Sequence, residues 1–123
     1  MYRGLSKIEL GLLGEKLAAE YLEKAGLQII CQNYRCPKGE IDLVAMDGKW
    51  LVFIEVRTRT SARLGYAEES LTAKKIKRLR SLGSYYLLEN GFKEFPLLRF
   101  DFLAINFHGS EYKINWLKGV LDQ

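Results

Sequence analysis

Residues 39–59 read GEIDLVAMDGKWLVFIEVRTR, and this stretch decides the fold. Apolar and polar residues alternate up to Asp47-Gly48, and a second apolar run follows that dipeptide. Asp-Gly between two such runs is a strong signal for a tight turn. The stretch therefore predicts a β-hairpin, with strands over residues 40–46 and 49–59.

The hairpin places carboxylates in an apolar setting. With a two-residue turn at the Asp-Gly pair, Asp42 faces Phe53 across the strands. Glu55 is then a diagonal neighbour of Asp42, about 7–8 Å away at the backbone. Because side chains alternate along a strand, one face of the hairpin carries Glu40, Asp42, Glu55 and Arg57. The opposite face is predicted to carry Ile41, Leu43 and Ala45 from the first strand and Trp50, Val52, Ile54 and Val56 from the second.

Helices flank this hairpin along the chain. Residues 6–25 form the first predicted helix, because Ser6 and Glu9 fit a capping box and Gly26 follows at the other end. A second helix is predicted over residues 72–90. Further strands are predicted over residues 27–35, 97–105 and 111–117.

The element order predicts an α/β fold in which a mixed β-sheet is flanked by helices. The long helical connection before the fourth strand predicts that this strand pairs in parallel with a neighbour. The 123 residues contain no repeat and no linker, so a single domain over residues 1–123 is expected.

Glu15 interrupts the apolar side of the first helix. It lies in the middle of a side that carries, at 3.6 residues per turn, Ile8, Leu12, Ala18, Ala19 and Leu22. Gly11 and Gly14 beside it allow another backbone to approach closely. A charged carboxylate that faces a core costs several kcal/mol unless it is paired or bound to a cation. Either an ion pair with Arg or Lys or a metal ion is therefore expected at Glu15.

Two cysteines and one histidine exclude several kinds of site. Cys31 and Cys36 lack the spacing and the partners of a structural zinc site. A Ser-His-Asp or Cys-His arrangement would depend on His108 alone, which lies in a turn-like stretch. Catalysis by this chain would therefore depend on carboxylates and basic residues.

Carboxylates that share one face repel one another unless a cation neutralises them. Mg²⁺ and Mn²⁺ prefer oxygen ligands and keep water molecules for chemistry. Because Glu15, Asp42 and Glu55 each break an apolar pattern, we expect their carboxyl groups to converge within the reach of one such ion. A polar outer face of the sheet is the alternative interpretation.

Basic residues accompany the acidic ones. The chain carries 19 Lys+Arg against 15 Asp+Glu, a formal net charge of +4. Arg57 and Arg59 continue the acidic face of the hairpin, and the second helix opens with the basic run Lys74, Lys75, Lys77, Arg78 and Arg80. Basic residues beside an acidic metal site can hold a phosphodiester. A solvated helix face is the alternative interpretation of this run.

Between residues 11 and 105 the chain carries, in order, Gly14-Glu15-x-x-Ala18-x-x-Tyr21-Leu22, Asn33-Tyr34-Arg35, Gly39-Glu40-Ile41-Asp42-Leu43, Val52-Phe53-Ile54-Glu55-Val56-Arg57-Thr58-Arg59 and Arg99-Phe100-Asp101. In order and approximate spacing these motifs resemble the YraN-like family of bacterial proteins. That family is similar to the PD-(D/E)xK, restriction-endonuclease-like superfamily, near the archaeal Holliday junction resolvases. The resemblance implies a restriction-endonuclease-like αβββαβ core and metal-dependent hydrolysis of phosphodiester bonds.

The resemblance also implies roles for single residues. Asp42 matches the Asp of the superfamily motif, Glu55 its second acidic residue, and Glu15 the carboxylate of the first helix. Arg57 departs from the pattern, which has Lys at this position. Arginine stays charged and does not deprotonate water, but it can clamp a phosphate. Lys75 is then a candidate source of the missing ammonium group.

The leading hypothesis is an Mg²⁺- or Mn²⁺-dependent endonuclease that hydrolyses DNA, including branched DNA. Its predicted catalytic residues are Glu15, Asp42, Glu55 and Arg57, of which the three carboxylates bind the metal. Its predicted nucleic-acid contacts are Arg59, Lys74, Lys75, Lys77 and Arg78, together with the loop of residues 58–70. Arg57 favours a second hypothesis, a nucleic-acid-binding module that has lost cleavage. A protein-interaction domain with buried ion pairs is the third.

The length of the apolar runs indicates the cellular compartment in which the protein is expected. No apolar run reaches the roughly 18 residues of a membrane span, and the first residues lack the apolar stretch of a signal peptide. We therefore expect a cytoplasmic protein with no membrane partner. Symmetric cutting of both DNA strands requires two sites, which is compatible with a homodimer.

Overall fold

The computed structural model describes residues 4–60, 65–94 and 96–120, and within them the elements follow the predicted order. They are α1 (Lys7–Lys24), β1 (Gln28–Cys36), β2 (Gly39–Asp47), β3 (Trp50–Arg59), α2 (Ala73–Glu89), β4 (Leu97–His108) and β5 (Glu111–Leu117). A 3-10 helix, Ala67–Ser70, precedes α2. The predicted fold class is confirmed. In the described part of the chain, no helix has the length and apolarity that crossing a membrane demands.

One mixed sheet, in the order β1-β2-β3-β4-β5, forms the centre of the fold. β1, β2 and β3 pair antiparallel, as do β4 and β5. β3 and β4 pair in parallel, from Trp50–Leu97 to Arg59–Asn106. Parallel neighbours need a long crossover connection, and α2 supplies it. The predicted parallel pairing of the fourth strand is confirmed.

Both faces of the sheet are buried, which explains the continuous apolar run of β3. One face packs against α2 in a core that includes Val44, Phe53, Leu82, Tyr86 and Phe102. The other face packs against α1 in a core that includes Leu22, Leu43, Val52, Ile54 and Leu103. Burying such side chains stabilises the fold by about 1.5–3 kcal/mol each. A strand between two cores cannot show apolar–polar alternation.

The predicted ends of α1 are confirmed. The Ser6 hydroxyl accepts a hydrogen bond from the Glu9 amide at 3.1 Å, and the Glu9 carboxylate accepts one from the Ser6 amide at 3.0 Å. This capping box satisfies two amides at the start of the helix. The chain leaves α1 through Gly26, whose φ of +100° suits glycine.

The buried side of α1 differs from the predicted one. Ile8 and Leu12 are 77% and 59% exposed, so the expectation that they face the core is wrong. Ala18, Ala19 and Leu22 are buried as expected, and Gly14 is buried with them. The reason is a close approach at Gly14, where a Cβ atom would collide with the Thr58 methyl group. This contact sets the roll of the helix and moves Glu15 from the middle to the margin of its buried side.

The hairpin turn also differs from the predicted one. Asp47 pairs with Trp50, so the two turn residues are Gly48 and Lys49 rather than Asp47 and Gly48. The register is therefore displaced by two residues, and Val44 rather than Asp42 faces Phe53. Within the paired residues 43–47 and 50–54, a displacement of two leaves each side chain on its predicted face.

Strict alternation fails near the open end of the hairpin. Ile41 packs in the α2-side core with Tyr34, its partner on β1, whereas Leu43 packs in the α1-side core. The predicted apolar row of Ile41, Leu43 and Ala45 on one face is therefore wrong. Asn33 lies between Gln32 and Tyr34, the β1 residues that pair with Leu43 and Ile41. It has a φ of +54°, a left-handed conformation that interrupts the extended backbone of β1.

Asp101 shows how this fold satisfies a buried carboxylate. Its side chain is fully buried and accepts hydrogen bonds from Arg99 at 3.0 Å, from the Trp116 indole at 2.9 Å and from the Gly119 amide at 3.0 Å. These bonds tie β4, β5 and the segment that follows β5 together. Asp101 is therefore a structural acid with its partners in place.

The Gly14 contact generates a test of the fold. Gly14→Ala should lower the free energy of unfolding by about 1–3 kcal/mol, because α1 must move away from Thr58. Gly11→Ala is the matched control, since nothing lies within 4 Å of a Cβ atom there. It should raise stability by up to about 1 kcal/mol through helix propensity. Urea unfolding of both variants is the measurement, and effects of the same sign would contradict the proposed contact.

Candidate active site

A cavity of about 480 Å³ opens between α1 and the end of β3. It is lined by Lys7, Leu10, Gly11, Glu15, Asp42, Val56, Arg57, Thr58, Arg59 and Thr60. Two of the predicted carboxylates and both predicted β3 arginines thus border one space. We call it the acidic cavity, after Glu15 and Asp42.

The acidic cavity exists because β2 and β3 separate. Their pairing ends at Leu43 and Ile54, whereas β3 remains paired with β4 as far as Arg59. Beyond the last pair, the Asp42 carboxylate accepts a hydrogen bond from the Val56 amide at 2.8 Å. A side chain thereby replaces a backbone acceptor, and Asp42 is fixed at the point where the strands diverge.

Glu15 reaches the cavity from α1 with an unsatisfied oxygen. Its Oε1 atom is buried and has no hydrogen-bond partner. Burial raises the pKa of Glu15, and the nearby Glu40 carboxylate raises it further. The Asn33 side chain and Arg57 oppose this shift. A buried carboxylate oxygen without a partner is rare in folded proteins and is expected to have a functional or structural cause.

Asp42 is perturbed in the same direction. Burial is the main cause that raises its pKa to about 6, and the Glu15 and Glu55 charges add to it. The Val56 hydrogen bond and Arg57 oppose the shift. Two carboxylates at one cavity thus repel each other, and a cation between them would relieve this repulsion.

Glu55 lies apart from this pair. It is 6% exposed, and its Oε1 atom is 3.1 Å from the Arg78 guanidinium. Its Oε2 atom is 3.5 Å from Arg57 and has no hydrogen-bond partner. Within residues 4–60, 65–94 and 96–120, no three His, Cys, Asp or Glu side chains are arranged to hold a metal ion. The structure therefore brings Glu15 and Asp42 together but leaves Glu55 with two arginines.

The donor set of the acidic cavity fits a divalent cation. Carboxylate oxygens suit Mg²⁺ and Mn²⁺, and the unpartnered Glu15 oxygen is free to act as a ligand. Mg²⁺ is commonly held by one or two carboxylates, with water and substrate phosphates completing the shell. Glu15 and Asp42 meet this requirement, whereas Glu55 is not among the residues that line the cavity.

Basic side chains gather near Glu55. Arg57 and Arg78 form ion pairs with it, and Lys75 interacts with Glu55 and with the three arginines Arg57, Arg59 and Arg78. We call Arg57, Arg59, Lys75 and Arg78 the basic cluster. Lys75, on the first turn of α2, is half-buried. Burial lowers the pKa of Lys75, and the three arginines of the cluster lower it further, against the opposing effect of Glu55. The cluster is therefore a concentrated positive region. The other predicted contacts on α2, Lys74 and Lys77, are exposed.

The Asn106 side chain of β4 anchors the loop between β3 and α2. The Asn106 side chain accepts a hydrogen bond from the Ala67 amide at 2.8 Å and donates one to Glu68 at 2.7 Å. The predicted nucleic-acid-contacting loop, residues 58–70, includes residues 61–64, which lie outside the described residues. Its described part begins beside the acidic cavity at Thr58 and Arg59.

Comparison with known proteins identifies the relatives of this chain. Residues 14–105 match the Uncharacterised protein family UPF0102. The chain belongs to this family. A UPF0102 protein of Desulfitobacterium hafniense is 46% identical over 114 residues, which cover 90% of this chain and 94% of the relative.

Two further UPF0102 proteins support this membership. The protein of Renibacterium salmoninarum is 46% identical over 94% of this chain and 98% of its own length. That of Pelotomaculum thermopropionicum is 50% identical over 80% of this chain and 81% of its own length. The UPF0102 match contains Glu15, Asp42, Glu55 and Arg57. The family description names no reaction, so function has to be inferred from the chemistry of the site.

Three features of the site were not anticipated from the sequence. The Arg78–Glu55 ion pair joins residues 23 apart, and no local pattern reports such a contact. Lys7 lies at the cavity without any signal except its charge. Asn33 did carry a signal, because asparagine within a strand favours the left-handed conformation that it adopts here.

The raised pKa of Asp42 predicts a pH-dependent stability. The folded state binds this proton more tightly than the unfolded chain, where the ordinary pKa is 3.8. The contribution of Asp42 to stability therefore falls as pH rises from 3.8 to about 6, and stays at the lower value above that. Asp42→Asn has no carboxyl group to ionise at this position and so does not lose this stability. Its free energy of unfolding, relative to that of the unmodified protein, should therefore rise by roughly 2–3 kcal/mol from pH 4 to pH 7.5.

Urea unfolding in EDTA at both pH values is the measurement. Glu20→Gln, which removes an exposed carboxylate of α1, controls for the loss of one negative charge. A stability difference between Asp42→Asn and the unmodified protein that does not change with pH would show that Asp42 is not destabilised by its surroundings.

Proposed function

We propose that this protein is a nuclease that uses Mg²⁺ or Mn²⁺ to hydrolyse phosphodiester bonds in DNA. The observation that carries the proposal is the meeting of Glu15 and Asp42 in one cavity, beside arginines that can hold a phosphate. Both carboxyl groups have raised pKa values, and one buried oxygen has no partner. Acidic oxygens for a cation and guanidinium groups for a phosphate are what this chemistry requires.

Each residue then has a defined task. Glu15 and Asp42 would hold the cation, with Glu55 as the third carboxylate. When bound, such an ion polarises the phosphate and lowers the pKa of a bound water. Arg57 would bind the scissile phosphate and stabilise its added negative charge, because a guanidinium stays protonated at neutral pH. The half-buried Lys75, which interacts electrostatically with Arg57, would supply the ammonium group that the superfamily has at this position.

The basic cluster and the first turns of α2 would bind the nucleic-acid backbone. Contacts to phosphates position a nucleic acid without reading its sequence. The proposed contacts are Arg59, Lys74, Lys75, Lys77 and Arg78. DNA, including branched DNA, is the proposed substrate, and a homodimer would supply two sites for symmetric cutting.

A second function has one observation in its favour. Glu55 is already paired with Arg57 and Arg78, which leaves Glu15 and Asp42 as the two carboxylates available to a cation. A nucleic-acid-binding module that has lost cleavage would keep such a closed ion pair. The two functions share the backbone contacts and differ only in turnover.

Substitutions at residues 55 and 57 distinguish the two functions. Glu55→Gln should reduce cleavage to background, because it removes the charge of a metal ligand while its shape is kept. Arg57→Lys should keep or raise cleavage, because it restores the superfamily residue. Both variants and the unmodified protein would be incubated with linear and four-way-junction DNA in Mg²⁺ and in Mn²⁺.

Two results would change the proposal. Cleavage by Glu55→Gln at the unmodified rate would indicate a contaminating nuclease or another site. If neither the unmodified protein nor Arg57→Lys cleaves any substrate while both bind DNA, the binding-module function replaces the nuclease function.

The basic run of α2 can be tested by the salt dependence of DNA binding. Replacing Lys74, Lys75, Lys77 and Arg78 by Ala should weaken binding to all sequences alike and reduce the slope of log affinity against log salt by about 3–4. The control removes four exposed lysines on other elements, namely Lys24, Lys38, Lys49 and Lys113. Fluorescence anisotropy at several salt concentrations gives both slopes. Equal slopes in the two variants would show that the run is only a solvated face.

A further inference from the structure

Glu55 is the predicted metal ligand whose charge is already balanced within the chain. It is one of the few buried charged residues in the described part of the protein, at 6% exposure. Arg78 of α2 donates to its Oε1 atom at 3.1 Å, and Arg57 lies 3.5 Å from its Oε2 atom. An ion at the acidic cavity would attract the same carboxylate that Arg78 holds.

The Arg78 guanidinium is accessible both to Glu55 and to groups that arrive from solvent. Its side chain is 50% exposed, whereas the Glu55 side chain is 8% exposed. The guanidinium therefore reaches the carboxylate from the solvent side of α2, where Lys74 and Lys77 are also exposed. A guanidinium binds carboxylates and phosphates with the same donor geometry, so a phosphate arriving at α2 competes with Glu55 for Arg78.

Charge balance gives this exchange a direction. With Arg78 in place, the charge of Glu55 is neutralised without a metal ion. The Glu55 carboxylate then adds little to the affinity for a cation at Asp42. With Arg78 on a phosphate, the buried Glu55 keeps the Arg57 ion pair at 3.5 Å and the electrostatic attraction of Lys75, and its Oε2 atom has no hydrogen-bond partner. A buried carboxylate in this state has a strong tendency to take up a cation.

We infer that Arg78 is a displaceable counter-ion, which holds Glu55 while the protein is free and passes to the nucleic-acid backbone when substrate binds. Arg78 is thus a positioning residue that couples phosphate binding at α2 to metal binding by Glu55. This inference rests on the proposed function, since it concerns the regulation of the same site. It accounts for the absence of an assembled three-carboxylate group within the described residues.

Mn²⁺ binding to the DNA-free protein tests this inference without any catalytic assay. Arg78→Gln removes the competing cation, so it should bind Mn²⁺ at least about 5-fold more tightly than the unmodified protein, as measured by calorimetry. Arg80→Gln is the matched control, because it removes an exposed arginine two residues further along α2, on a different side of the helix. It should bind Mn²⁺ within about 2-fold of the unmodified protein, as general electrostatics allow.

The possible outcomes separate this inference from the proposed function. Equal Mn²⁺ affinities of Arg78→Gln and Arg80→Gln, or weaker binding by Arg78→Gln, would overturn the counter-ion role of Arg78. The cation site itself would survive that result if Asp42→Asn still abolished Mn²⁺ binding. Absence of Mn²⁺ binding by every variant would overturn both the inference and the proposed function.

The unmodified protein offers a second measurement, which does not depend on the stability of a variant. Addition of DNA should change the chemical shifts and the solvent exchange of the Arg78 guanidinium protons in NMR spectra, because the side chain passes from Glu55 to a phosphate. Arg78 signals that DNA leaves unchanged would contradict the release of Arg78.

Discussion

The hydrogen bond from the Val56 amide to the Asp42 carboxylate, at 2.8 Å, is the interaction on which the site depends. It stands where the backbone pairing of β2 and β3 has ended, and it holds the diverging strands at a fixed separation. The acidic cavity lies in that separation, and α1 closes it from one side through the Gly14–Thr58 contact. Because Asp42 is committed to this structural bond, its position does not depend on a bound ion.

Charge is distributed unevenly around this point. Asp101, the fully buried acid of β4, has donors on both oxygens, whereas Glu15 has a buried oxygen with none. The fold therefore provides complete hydrogen bonding where a carboxylate is structural. At the cavity, one buried oxygen of Glu15 lacks a hydrogen-bond partner, and a cation could bind there. Glu55 is intermediate, since it is paired but its partner Arg78 is half exposed.

Local signals in the sequence predicted the elements well, because caps, turns and periodicity are short-range. The capping box at Ser6, the glycine after α1 and the parallel pairing of β4 all agree with the structure. The roll of α1 was not predictable, since it is set by a contact between Gly14 and Thr58, 44 positions apart in the chain. The meeting of Glu15 with Asp42 was anticipated from broken apolar patterns, but the capture of Glu55 by α2 is a tertiary contact that no periodicity records.

The most direct test of a cation site built on Asp42 is anomalous diffraction from a crystal soaked in Mn²⁺. An anomalous peak is expected at about 2.0–2.3 Å from carboxylate oxygens of both Glu15 and Asp42, and no such peak is expected in Asp42→Asn. A fully soaked crystal with no peak at these residues, or with its peak elsewhere on the protein, would contradict the account.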